Sequence, residues 1–126
     1  MSTVKFDPES PNIIVEAKIK ATPSVITLLI VDTGASVVVL PWRLVPKIGL
    51  TVDPIKTMQA TTASMVETVP EVIIPELSVL GKTVKNVQAI IKDLPPEAPA
   101  DGLLGLSFLK HFKLTIDFKK GNLSLE

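Results

Sequence analysis

The sequence contains no cysteine, so disulfide bonds, thiol catalysis and cysteine-ligated zinc are excluded. The absence of cysteine also favours a reducing compartment. The single histidine is His111, and a metal site built from several histidines of one chain is therefore impossible. A Ser-His-Asp arrangement would have to use His111. These absences restrict nucleophilic and metal-dependent mechanisms to those that need at most one histidine.

The chain has no excess of charge of either sign, with 13 Lys plus Arg and 13 Asp plus Glu in 126 residues. This balance gives no electrostatic reason to expect a nucleic acid or an anionic membrane as a partner. No window reaches the roughly 20 apolar residues that a membrane-spanning helix needs. Residues 1–10 lack the basic and apolar segments of a signal peptide. We therefore expect a soluble, cytoplasmic protein.

The remaining pattern is one of short apolar segments separated by proline and glycine. The 11 prolines argue against long helices, because each removes a backbone donor. The nearly all-apolar run at residues 25–31 predicts a strand that is buried on both faces. We expect strands at residues 13–20, 25–31, 37–40, 55–60, 66–74, 77–80, 83–92, 114–118 and 123–125, and short helices at 41–48 and 106–112. With no linker visible, residues 1–126 are predicted to form one all-β domain with one or two short helices.

The segment Asp32-Thr33-Gly34-Ala35-Ser36 carries the strongest chemical signal, because it directly follows a buried strand. A carboxylate at that point must be solvated, hydrogen-bonded or used in chemistry. Thr33 and Gly34 add a hydroxyl, backbone amides and a tight turn. The segment alone fits a simple turn in which Asp32 caps its own loop equally well.

These residues resemble the catalytic loop of the retropepsin-like aspartic peptidases, in which hydrophobic residues precede Asp-Thr/Ser-Gly. Leu103-Leu104-Gly105 resembles the hydrophobic-hydrophobic-glycine strand that runs beside that loop in the family, and a short helix follows it here as there. The resemblance covers the chain from about Asn12 onwards and is greatest with bacterial and archaeal single-lobe members. It implies a closed acid-protease barrel lobe.

The resemblance also implies an aspartic endopeptidase that hydrolyses peptide or protein substrates without a metal or cofactor. Such enzymes need two carboxylates that share a proton across a bound water. This chain has one Asp-Thr-Gly and room for one lobe, so the second carboxylate is expected from Asp32 of another copy in a C2 homodimer. The other aspartates considered as partners fit turn, hairpin or loop roles better: Asp53, Asp93, Asp101 and Asp117.

Roles for the neighbouring residues follow from the same resemblance. Thr33 resembles the residue whose hydroxyl hydrogen-bonds to the opposing loop across the dimer axis. Alternatively, Thr33 is simply a β-forming residue at a turn. Gly34 resembles the position whose carbonyl accepts a hydrogen bond from the substrate backbone, although glycine also simply permits the turn. Ser36 replaces the acid that grips the substrate in viral members, so peptide affinity is expected to be weaker.

Residues 61–65 lie where the family carries its flap, the hairpin that closes over the substrate. Thr62, Ala63 and Ser64 are therefore candidate substrate-binding residues. Many relatives have glycine at the flap tip, and this chain has none. An ordinary solvent-exposed hairpin fits the same residues.

Two functions of other classes compete with the peptidase. The first is a dimeric peptide-binding module that keeps the fold with little or no catalysis. The second is a structural β domain in which the motif is coincidental. The intact Asp32-Thr33-Gly34 disfavours the binding module, whereas Ser36 and the absence of glycine from the flap leave it open.

Ala35 generates a prediction about pH. Relatives with serine at this position donate a hydrogen bond to the catalytic carboxylate and stabilise its charge, which alanine cannot do. We therefore expect peptidase activity to extend toward weakly acidic or neutral pH, measured as kcat/KM against pH. A rate confined to conditions below about pH 4 would contradict this expectation.

Overall fold

Short strands dominate the computed structural model, which describes residues 2–61 and 64–126. The strands are β1 (Ser2–Lys5), β2 (Ile14–Ile19), β3 (Val25–Val31), β4 (Val38–Leu40), β5 (Thr57–Thr61), β6 (Val66–Val79), β7 (Lys82–Ile91), β8 (Gly102–Leu104), β9 (Leu114–Asp117) and β10 (Asn122–Leu125). The helices are α1 (Val45–Ile48), preceded by a 3-10 turn at Trp42–Leu44, and α2 (Leu106–Leu109). Within this described part of the chain, neither helix is long and apolar enough to cross a membrane.

Six of the strands close into a barrel in the order β2-β3-β8-β4-β7-β6, and β6 pairs again with β2. The seam between β2 and β6 consists of three residue pairs, from Ala17↔Val79 to Ile19↔Leu77. β5 pairs with the first part of β6 and extends the sheet beyond the ring. The all-β barrel lobe with short helices, expected from the resemblance, is confirmed.

The barrel interior is filled by every second residue of its strands. In β2, Val15, Ala17 and Ile19 are buried, and the charged residues between them face solvent. Such alternation is typical of a strand with one face on the core. The prediction that β3 is buried on both faces was wrong, because Ile26 and Leu28 point outward and are 54% and 44% exposed. A strand in the barrel wall has only one inner face. Because β3 carries apolar residues on its outer face as well, its sequence does not show which face is buried.

β8 runs between β3 and β4, parallel to β3 and antiparallel to β4. The approach is close, because a Cβ atom on Gly102 would lie 1.9 Å from the carbonyl oxygen of Val39. Real Cβ atoms do not come this near to a backbone oxygen, so glycine is required here. The end of β8 therefore lies beside the end of β3, and Asp32 is the residue that follows β3 in the chain.

β6 corrects a second expectation, since residues 66–79 form one strand where two had been predicted, at residues 66–74 and 77–80. The pairing with β7 passes directly from Ile74↔Val87 to Glu76↔Lys85, so Pro75 stands opposite Asn86 at a skipped position. Asn86 has a φ of 56°, a conformation that asparagine tolerates better than most residues. The strand accommodates the proline by a local irregularity in the pairing.

The two ends of the described chain form a second, three-stranded sheet in the order β1-β10-β9. β1 had not been predicted, because residues 2–5 lack a marked apolar pattern. Its pairing with β10 is antiparallel and runs from Ser2↔Leu125 to Lys5↔Asn122. The hydroxyls of Thr3 and Ser124 also lie 3.0 Å apart. The final hairpin expected at residues 114–125 is confirmed as β9 and β10.

Asp101 connects the wall of the barrel to the segment before α1. Its Oδ2 accepts hydrogen bonds from the Thr27 hydroxyl at 2.8 Å and the Leu28 N–H at 2.9 Å, and its Oδ1 lies 2.7 Å from Arg43 Nη2. Burial raises the pKa of Asp101, but these hydrogen bonds and the charge of Arg43 lower it by more, so the pKa lies below its ordinary value. Asp101 is therefore a long-range structural link, whereas sequence had suggested a turn residue.

This link predicts an acid-sensitive contribution to stability. Because the folded-state pKa of Asp101 is lowered, its ionised form stabilises the fold above the unfolded value of about 3.9, and that stabilisation is lost as pH falls through the folded value. We expect Asp101→Asn to lower the free energy of unfolding by about 1 to 3 kcal/mol at neutral pH. The deficit relative to wild type should shrink as pH falls below about 4.

Denaturant unfolding at several pH values measures this difference. Asp53→Asn is the matched control, because Asp53 Oδ1 accepts a local hydrogen bond from the Ile55 N–H that asparagine also makes. The control should stay within about 0.5 kcal/mol of wild type. A deficit of Asp101→Asn that is the same at every pH would contradict the electrostatic explanation.

Candidate active site

Asp32 follows the last residue of β3 and is held in place by the strand beside it. The Asp32 N–H donates to the Leu104 carbonyl at 3.1 Å, and the Val31 N–H donates to the Ile13 carbonyl at 2.8 Å. The side chain is only partly buried, and Thr33 and Gly34 after it are exposed. The end of a barrel strand therefore presents a carboxylate at the surface without enclosing it in the core.

The turn that follows fixes the direction of this carboxylate. The Gly34 N–H donates to Asp32 Oδ1 at 2.9 Å, and the Ala35 N–H donates to the Asp32 carbonyl at 3.2 Å. Both the functional and the simple turn interpretation of Asp32-Thr33-Gly34 include such bonds. Since a carboxylate can accept about four hydrogen bonds, Asp32 keeps capacity for a water or a second acid.

α2 supports the far side of this loop, residues Asp32–Ser36. The N–H groups of Leu106 and Ser107 donate to the carbonyls of Ala35 and Ser36 at 2.8 and 3.0 Å. A Cβ atom on Gly105 would lie 2.2 Å from the Val37 carbonyl oxygen, which leaves no room for any other residue. The helix itself is shorter than predicted, Leu106–Leu109 in place of residues 106–112.

A cleft with a volume of about 810 Å³ opens beside the loop. Asp32, Gly34, Ser36 and Ser64 all line it, so four of the predicted site residues lie around one space. Thr62 and Ala63, predicted to bind substrate, lie outside the described residues. Thr33 is exposed next to Asp32 but is not part of the lining.

The floor of the cleft is apolar. Val37, Val39 and Ile90 are each 6% exposed or less and form a small cluster separate from the main core. Met58 and Leu103 pack against this cluster and also line the cleft. A surface of this kind binds aliphatic or aromatic side chains through the removal of apolar area from water.

An ion pair joins the cleft wall to the strands that lead to the predicted flap. Lys92 Nζ lies 2.7 Å from Glu67 Oε1, with 26% and 31% of the two side chains exposed. Lys92 lines the cleft, and Glu67 stands opposite Ala60 in the β5–β6 pairing. Partial burial reduces solvent screening of such a pair. The geometry therefore ties the base of the hairpin to the barrel.

The other aspartates considered as catalytic partners are each bound to backbone N–H groups. Asp93 accepts from the Trp42 N–H at 2.9 Å, and Asp117 accepts from the N–H groups of Lys119 and Lys120 at 3.0 Å. Asp53 and Asp101 make the bonds described above. Each of these carboxylates thus has a local or long-range structural role.

Sequence reasoning missed Ser107, whose hydroxyl accepts a hydrogen bond from the Val38 N–H at 3.0 Å. The available signal was a polar residue inside an apolar helical segment. His111 makes a nearby main-chain contact, with Nδ1 3.2 Å from the Phe108 carbonyl oxygen. Among the residues that the structure describes, no group of three or more His, Asp or Glu side chains could hold a metal ion.

A closed barrel with the Asp32 loop beside β8 defines the retropepsin-like fold. A crystal structure of a retropepsin-like aspartic protease from Rickettsia conorii matches this chain with a TM-score of 0.72 at 24% sequence identity. The match covers 98% of this chain and 87% of the other. The family model described as aspartyl protease matches residues 15–108, and the chain belongs to that family. Comparison with curated proteins gave no match.

The contact at Gly105 predicts a large effect of adding one methyl group. Gly105→Ala should lower the free energy of unfolding by about 2 to 4 kcal/mol, because the new Cβ atom would meet the carbonyl oxygens of Val37 and Ala35. Gly81→Ala is the control, since its φ of 75° is strained for alanine but nothing lies within 4 Å of the added Cβ. Strain of that kind costs about 1 to 2 kcal/mol. Urea unfolding measures the loss in unfolding free energy of both variants. An equal loss for Gly105→Ala and Gly81→Ala would show that the Asp32 loop moves easily to accommodate the added methyl group.

Proposed function

We propose that this chain is an aspartic endopeptidase that acts as a homodimer, with Asp32 of each subunit as a catalytic carboxylate. The observation that carries the proposal is the partly exposed Asp32 carboxylate, oriented by the Gly34 N–H and lining an apolar cleft. Membership of the aspartyl protease family supports it. A second copy supplies the partner carboxylate in this proposal, because the other candidate aspartates are bound to backbone elsewhere.

The proposed reaction uses one ionised and one protonated Asp32, because two carboxyl groups that share one bound water cannot both ionise readily. The ionised carboxylate removes a proton from a water whose oxygen attacks the scissile carbonyl carbon. The partner subunit's Asp32 donates its proton to the carbonyl oxygen. The Asp32 that took the water proton then donates it to the leaving nitrogen as the C–N bond breaks, and the partner subunit's Asp32 takes back the proton from the hydroxyl oxygen that becomes the product carbonyl. The products are a carboxylic acid and an amine.

The loop and flap residues would bind an extended peptide in this arrangement. The Gly34 carbonyl would accept a hydrogen bond from the substrate backbone, and Ser36 would offer a neutral hydroxyl. Thr62, Ala63 and Ser64 would close over the peptide and exclude water. The Thr33 hydroxyl would hydrogen-bond across the axis to the opposing loop and hold the two carboxylates in register.

The apolar floor of the cleft supports a preference for hydrophobic side chains next to the cleaved bond. Val37, Val39 and Ile90 offer no polar side-chain group to a substrate, so a charged side chain would lose its hydration there. Each side chain fully removed from water would contribute about 1.5 to 3 kcal/mol to binding.

Asp32→Asn tests the catalytic assignment. The variant should form the same dimer in sedimentation and lose cleavage of casein or a peptide library, because an amide cannot act as the general base. Asp53→Asn should retain activity, since Asp53 makes only a local turn. Cleavage by Asp32→Asn would refute the mechanism. An inert wild-type dimer that binds peptides would instead support the binding module, and a monomer the structural domain.

Mixed dimers test whether both subunits contribute. When wild type and Asp32→Asn are refolded together in equal amounts, random pairing leaves about one quarter of the dimers with two Asp32 side chains. Cleavage should therefore be about one quarter of that of the same total amount of wild type. A value of about one half would show that each chain works alone.

A further inference from the structure

Ser107 occupies the point at which the Asp32 loop, α2 and β7 meet. Its hydroxyl accepts a hydrogen bond from the Val38 N–H at 3.0 Å and donates one to the Gln88 carbonyl at 2.7 Å. Its own N–H donates to the Ser36 carbonyl at 3.0 Å. One residue therefore contacts the last residue of the Asp32 loop, the first residue of β4 and the middle of β7.

The hydroxyl is the part of this contact that depends on the side chain. Backbone bonds from Leu106 and Ser107 to the loop survive any substitution that keeps α2. The bond to Val38 is different, because it needs an acceptor on the side chain, and a hydroxyl can accept and donate at once. A serine here satisfies the Val38 N–H and the Gln88 carbonyl together.

The same contact continues toward the cleft wall through Gln88. The Gln88 amide Nε2 donates to Glu71 Oε1 at 2.8 Å and lies 3.5 Å from the sulfur of Met58. Met58 lies on β5 and lines the cleft. A chain of direct contacts thus runs from the exit of the Asp32 loop to a residue on the substrate side of the cleft.

We propose that Ser107 is a positioning residue, which fixes the exit of the Asp32 loop against β7 and so holds Asp32 at the distance that the reaction needs. The proposal rests on the proposed peptidase function. It predicts a loss in the chemical step more than in substrate binding, because Ser107 is absent from the cleft lining. Small displacements of a catalytic group cost large factors in rate, up to about a hundredfold per ångström.

Ser107→Ala tests the proposal with two measurements on the full chain. We expect kcat for a peptide substrate to fall about tenfold while KM changes less than about twofold. Independently of catalysis, amide hydrogen exchange at Val38 should become about tenfold faster, because its acceptor is gone. Ser107→Thr keeps the hydroxyl and should restore both values to within about twofold of wild type.

Ser78→Ala is the matched control, because Ser78 also shares its hydroxyl with a partner, Thr83 at 2.6 Å, but in the β6–β7 hairpin. It should leave kcat and Val38 exchange unchanged. Unchanged kcat in Ser107→Ala, unchanged Val38 exchange, or an equal loss in Ser107→Thr would each overturn the proposal. If wild type itself does not cleave, the peptidase function fails, and Val38 exchange alone decides whether Ser107 positions the loop. Should Ser107→Ala not fold, Ser107→Cys replaces it with the same expected direction.

Discussion

The backbone of β8 packs directly against the backbone of its neighbours, and the position of the Asp32 loop follows from this contact. Gly102 and Gly105 lie at the two ends of a short segment whose backbone lies against the carbonyl groups of Val39 and Val37. Between them, the Leu104 carbonyl accepts the Asp32 N–H. Because backbone meets backbone there, a main-chain hydrogen bond holds the loop that carries the carboxylate against β8.

Polar side chains on either side of β8 also bind the neighbouring strands. Asp101 precedes β8 and binds β3 and Arg43, so the segment is anchored before it enters the barrel. Ser107 follows β8 and binds β4 and β7. The site thus combines a hydrogen-bonded acid with an apolar surface beside it.

The sequence predicted the elements whose signals are local. Alternation identified β2, and the Asp32-Thr33-Gly34 loop with its downstream Leu103-Leu104-Gly105 identified the family. The sequence did not reveal which polar residues meet across the fold. Asp101 looks like a turn residue because its partner Thr27 is 74 positions away. Ser107 lies in an apolar helical segment, so its polar contacts are not apparent from the sequence. β1 is a strand only because it pairs with β10 at the other end of the chain. The continuity of β6 through Pro75 involves Asn86 in another strand, which no local pattern shows.

The seam that closes the barrel has a consequence for how the chain acquires its fold. β2 and β6 meet through three residue pairs whose members are about sixty residues apart in sequence, so this non-local contact carries the entropy cost of closing a long loop and is expected to form slowly. Until then, both strands expose unpaired backbone that a neighbouring molecule can capture. The yield of refolded protein should therefore fall as protein concentration rises, because chains whose barrel is not yet closed aggregate with one another.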